Sequence, residues 1–136
     1  MGYCVKVQVL FGMKIPLQHI IKYCKSKYEC QDTEKWDALD WQEEFRETKV
    51  FDQIVKDTDL DLVEFYKTTI DKSFIVLCVN SNSYQYEDWG TPQQDYMGLD
   101  CTVEQKYLDQ QFKVLTELAV DHNLYNNKIH ILIKSD

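Results

Sequence analysis

Ser73-Phe74-Ile75-Val76-Leu77-Cys78-Val79 decides how this chain folds. The unbroken apolar run is bounded by Asp71-Lys72 before it and Asn80-Ser81-Asn82 after it. It is too short for a buried helix and has the β-branched content of a fully buried strand. Just upstream, Leu60 to Tyr66 alternates loosely, and the join Thr69-Ile70-Asp71-Lys72 is short and polar. Two such runs with a tight polar join predict a hairpin in the middle of the chain, with further strands toward both ends.

Toward the N-terminus, Tyr3, Val5, Val7, Val9 and Phe11 alternate with Lys6 and Gln8, the period of a strand, which Gly12 is expected to end. Pro16 then stands at a first helical position, followed by Leu17, Ile20, Ile21, Cys24 and Tyr28 at helical spacing, so a helix is predicted from about 16 to 28. Residues 29–59 are acidic. Thr33 can cap a helix there, with Trp36, Leu39 and Phe45 as one stripe and Phe51, Ile54 and Val55 as a second, so one or two helices are expected. Residues 80–101 carry turn formers throughout and read as one long loop. Thr102 and Gln105 form a capping-box pattern for a helix bearing Leu108, Phe112, Leu115, Ala119 and His122, predicted to reach about residue 123. Asn126-Asn127 turns the chain into a last strand, 128–134, with Ile129, Ile131 and Ile133 on one face.

The expected fold class is therefore α+β. The order β-α-(acidic helical insert)-β-β-α-β matches the ferredoxin-like split β-α-β sandwich, a four-stranded antiparallel sheet with two main helices on one face. One domain is expected over 1–136, with the helical insert at about 29–59 and the long loop at about 80–101, since 136 residues with 44% hydrophobic content support a single core.

Charge and cysteine usage narrow the function classes. The net charge of −8 is local: residues 1–28 carry +5, residues 29–64 carry −9 and residues 65–136 carry −4. An acidic chain repels phosphate backbones, so no nucleic-acid partner is expected. No apolar stretch of membrane-spanning length occurs, and the Met-Gly start has Lys6 where a myristoylation signal needs Ser or Thr, so no membrane partner is expected either. Five cysteines without a CxxC pair indicate reduced thiols and a cytoplasmic or nuclear, reducing compartment. Fourteen lysines against one arginine, with only two alanines, follow from AT-rich codons such as those of a large DNA virus, an AT-rich bacterium or a protist.

Catalytic constellations fail one by one. Asp57-x-Asp59-x-Asp61 begins like a calcium loop, but Leu62 stands where that loop needs Gly and Thr68 where it needs Glu. His19, Cys24 and Cys30 are close in sequence, yet His19 and Cys24 are five apart on a helix and turned about 140° from each other, so they cannot share an ion. Cys78 or Cys101 with His122 or His130 lacks any hydrolase signature, and the four glycines are too scattered for a phosphate loop. No catalytic residue, metal or cofactor is assigned.

What stands out is aromatic. Tyr84, Tyr86, Trp89 and Tyr96 lie among Asn, Gln, Asp and Pro in the loop, a composition common at protein interfaces, and Trp36 and Trp41 lie in the acidic segment. The expected function is a non-catalytic module that docks a protein partner through these six aromatics and the acidic surface, with self-association as a homodimer through a sheet edge or face. The rival is a small enzyme or ligand binder with a pocket under the loop, using Cys101, His122, Asp100, Asp88 or Glu87.

Overall fold

The computed structural model describes residues 4–87 and 101–135. Its elements in chain order are β1 (Cys4–Pro16), α1 (Leu17–Lys27), α2 (Ala38–Thr48), α3 (Val50–Ile54), β2 (Asp61–Phe65), β3 (Phe74–Glu87), α4 (Gln105–Glu117) and β4 (Asn127–Ser135), with 3-10 turns at Ile70–Lys72 and His122–Leu124. The fold is α+β: one antiparallel four-stranded sheet in the order β2-β3-β1-β4, with helices packed on one side.

The two central strands are longer than the sequence pattern implies. Gly12 does not end β1, which runs on to Pro16, and β3 continues through residues 80–87, which had been expected to form loop. What the sequence period hides is a β-bulge. Phe11 pairs with Asn80 but Gly12 pairs with Cys78, so Val79 is an extra residue in β3 and shifts the alternation of that strand by one. The strands approach so closely here that a Cβ on Gly12 would lie 2.2 Å from the Leu77 carbonyl oxygen. Gln111 of α4, fully buried, supports the same point: its Nε2 donates to the Leu77 carbonyl at 3.2 Å and to Asn127 Oδ1 at 2.7 Å, and Asn127 Nδ2 donates back to its Oε1 at 3.0 Å. A buried amide is tolerable only when paired in this way.

On the helical side, Met13 and Ile15 of β1 and Ile75 and Leu77 of β3 meet Leu17, Ile20, Ile21 and Cys24 of α1, Trp41 and Phe45 of α2 and Val114 and Leu115 of α4. α1 starts after Pro16, as the fixed φ of proline favours, and ends with Lys25 and Lys27 in its last turn. α2 is capped by Asp37, not Thr33: the Asp37 side chain accepts from the Asp40 backbone while Asp40 accepts from that of Asp37. This shifts the inner stripe to Ala38, Trp41 and Phe45, leaving Leu39 53% exposed. α4 begins at Gln105 behind Glu104 with no side-chain cap, so the expected Thr102 box does not form, and the helix stops at Glu117 because Ala119 adopts a left-handed φ of 57°.

A second, smaller cluster on the opposite face joins Leu10, Val76, Cys78 and Leu132, flanked by Phe65 stacked on Phe74 at 4.8 Å. No described helix is long and apolar enough to cross a membrane.

Candidate functional site

Alternation carries the helical face of the sheet past the helices. Val5, Val7, Val9 and Phe11 share a face with Met13 and Ile15 and pair with β4, Phe11 with Ile129, Val9 with Ile131 and Val7 with Ile133. Asn127, bonded to Gln111, marks where the helical layer stops, and beyond it the exposure of β4 rises steadily: 55% at Ile129, 61% at Ile131, 67% at Ile133. The result is an aliphatic surface two strands wide, formed by β1 and β4, with β4 as the edge. Every described side chain on this part of the face is uncharged, while Lys6 and Lys128 alternate to the other side. Apolar area left exposed in this way among the described residues makes this face a candidate interaction surface. The alternation of three isoleucines was legible in the sequence; that this face lies beyond the reach of the helices was not.

The aromatic residues singled out from the sequence have separate fates. Tyr84 and Tyr86 lie in β3 rather than in a loop, at the register positions opposite Val7 and Val5. Trp89 and Tyr96 fall outside the described residues. Trp41, expected at an interface, is core: it is 1% exposed, with Trp36 edge-on at 4.8 Å, Phe45 at 5.7 Å and the Lys25 ammonium 5.5 Å above its ring. Trp36 precedes α2 and is half-buried against it. Asp40, Glu43 and Glu47 of α2 point outward because the capped helix turns its four-residue Trp41–Phe45 step inward, while Glu44 is half-buried. The segment therefore presents acids without a tryptophan patch between them.

The residues of the rival enzyme are placed as follows. His122 lies beyond α4; its Nε2 is 2.9 Å from Thr116 Oγ1 and its ring stacks on Phe112 at 5.1 Å. Cys101 is exposed, and Asp88 and Asp100 fall outside the described residues. The described depressions lie elsewhere, one of about 300 Å³ lined by Gln42, Arg46, Lys49, Asp52 and Glu64 and one of about 210 Å³ along α1 and α4. In the latter, Glu117 accepts from Tyr23 at 2.8 Å and from Lys27 at 3.0 Å, and these two partners hold its carboxyl below the usual range.

His19 and Cys24 diverge, as their spacing requires: His19 Nε2 is 2.6 Å from the Tyr125 hydroxyl. Cys24 instead meets Cys30 and Glu44, whose ligand atoms all lie within 4.8 Å of one another. Burial, then the neighbouring Cys30, pushes the Cys24 thiol up to about 12, and burial pushes Cys78 equally high, so neither is a ready nucleophile in this state.

Two histidines give the fold an acid sensitivity. Burial, with Lys22 adding to it, lowers the pKa of His19. Burial also lowers that of His130, opposed by a hydrogen bond with the Gly12 backbone and assisted by Lys14 and Lys128, and its Nε2 is buried without a partner. Below the unfolded value of about 6.5 the unfolded chain binds more protons than the folded one, so stability falls as pH drops from about 7 toward the folded pKa values. Urea midpoints measured across this range should decline on acidification, and the decline should flatten in His19→Gln/His130→Gln; an unchanged slope would remove both histidines as its source.

Comparison with known proteins finds no family model, no curated protein and no solved structure that matches the chain.

Proposed function

We propose that the chain is a non-catalytic protein-binding module of ferredoxin-like, split β-α-β architecture, and that its uncovered sheet face docks a second copy of itself. The architecture rests on connectivity: α1 leads from β1 toward β2, and β3 lies between those two strands. The function rests on one observation, the graded exposure of Ile129, Ile131 and Ile133 on a face with no described charge.

A second copy fits this face for two reasons. Two chains of net charge −8 repel at long range, which favours contact through a face without described charge. The −9 segment lies over the β2 side, where Ala38 N–H donates to the Thr68 carbonyl, at the opposite edge of the sheet from β4. Aliphatic sheet faces pack on each other at about 10 Å, and a two-fold contact is the commonest way for one patch to cover itself. From residue 5 to residue 11 across β1 and β4 the patch measures about 23 by 10 Å. Two such faces together would bury about 500 Å², below the roughly 1,200 Å² of stable interfaces, so a weak, concentration-dependent dimer is expected.

Sedimentation velocity tests this. The wild-type chain should sediment faster as concentration rises, whereas Ile131→Lys, which places a charge beside its own symmetry mate, should remain monomeric at all concentrations with an unchanged melting temperature. A wild-type monomer at the highest concentration reached, or a dimer that survives Ile131→Lys, would refute the reading.

A further inference from the structure

Three elements bring soft and hard donors to one point beneath α1. α1 closes with the Tyr28 N–H bonded to the Cys24 carbonyl, which turns the chain so that Cys30, in the irregular connector, comes back beside Cys24. α2 supplies Glu44 from the rim of the core, one position before the buried Phe45. Cys30 Sγ lies 4.0 Å from Glu44 Oε1 and 3.7 Å from the Tyr28 carbonyl oxygen. The Thr48 hydroxyl, fixed on the Glu44 carbonyl at 2.9 Å, lies against the Cys24 sulfur.

We propose that Cys24, Cys30 and Glu44 form a binding site for a thiophilic divalent cation of the zinc class, with water in the fourth position. The chemistry of the donors selects the ion: two thiolates and one carboxylate suit zinc, whereas magnesium and calcium need an oxygen shell that two sulfurs cannot provide. The geometry is close to what is needed. Tetrahedral zinc with Zn–S near 2.3 Å and Zn–O near 2.0 Å sets donors about 3.3–3.8 Å apart, so a cluster within 4.8 Å has to close by about 1 Å. Cys30 and Glu44 are only half-buried, so their side chains can make that movement. The Thr48 hydroxyl, which donates to the Glu44 carbonyl, packs beside the Cys24 sulfur and fixes the backbone that carries Glu44. Binding would tie the connector between α1 and α2 to both helices. The spacing argument that separated His19 from Cys24 holds; the third ligand comes from Glu44, twenty residues beyond Cys24, where no local motif could reveal it.

The experiment is a cobalt(II) titration of the full chain kept reduced with a phosphine, followed by zinc. A thiolate-to-cobalt charge-transfer band should saturate at one equivalent and be bleached by one equivalent of zinc. Cys30→Ser and Glu44→Gln alter half-buried side chains and should weaken cobalt binding by at least about 100-fold, more than the loss of an outer partner would, while the circular dichroism spectrum stays native. Cys101→Ser, remote in sequence and exposed, should bind as the wild type does. Absence of the band at stoichiometric cobalt, a band unaffected by Cys30→Ser, or a band lost in Cys101→Ser would each overturn the site. The site lies on the helical layer, so the outcome is independent of whether the β4 face forms a dimer.

Discussion

Replacing Gly12 with alanine should cost about 3 kcal/mol or more, a large share of the 5–15 kcal/mol that holds a domain of this size together. The added methyl would sit 2.2 Å from the Leu77 carbonyl oxygen, 2.8 Å from its carbonyl carbon and 2.9 Å from Cys78 Cα, all backbone atoms. Backbone in the middle of a ladder cannot swing aside as a flexible side chain could. Here the obstructing carbonyl is also held from the helical side by Gln111. Relief would require β1 and β3 to separate at the bulge, which would break the pairing on both sides of it and withdraw Met13 and Ile15 from α1. Urea unfolding measures the effect: a midpoint within about 1 kcal/mol of wild type would mean that the close approach at Gly12 is not part of the native fold.

Trp41→Ala is expected to cost about 3–5 kcal/mol, the usual range for removing a buried aromatic. Its ring is 1% exposed and links Trp36 on one side to Phe45 on the other, and Phe45 in turn meets Phe51 at 5.4 Å, so one truncation leaves a void between α2 and everything it packs on. The same variant separates two roles for the indole. A core tryptophan loses stability in the isolated chain, whereas an interface tryptophan would leave the melting temperature unchanged and weaken only the binding of a partner. Thermal unfolding of purified Trp41→Ala decides between them, and a shift of less than a few degrees would return Trp41 to the surface.

Local pattern alone determined the kind and order of the elements. Val5, Val7 and Val9 at period two, Ile20, Ile21 and Cys24 at helical spacing, and the apolar run 74–79 each carry their secondary structure in their own spacing. Helix ends were legible only where the cap was. Pro16 placed the start of α1, but three candidate oxygens precede α2, and the competition among Thr33, Asp37 and their neighbours was settled by which side chain could close a reciprocal box with Asp40. Gly12 was misread because a bulge and a strand end share the same sequence sign, a glycine that breaks an alternating run.

Which face of an element is covered is a property of the assembly, since it depends on how far the helices reach along the sheet. Ile131 and Ile15 look alike in sequence, yet one is 61% exposed and the other fully buried, because among the described residues the helices pack over Ile15 and not over Ile131. Trp41 and Trp36 likewise gained their places from the turn of α2. The convergence of Cys24, Cys30 and Glu44 is of the same kind. Local spacing sets where a side chain points around its own helix axis, and only the packing of one element on another brings side chains from distant positions within a few ångströms of each other.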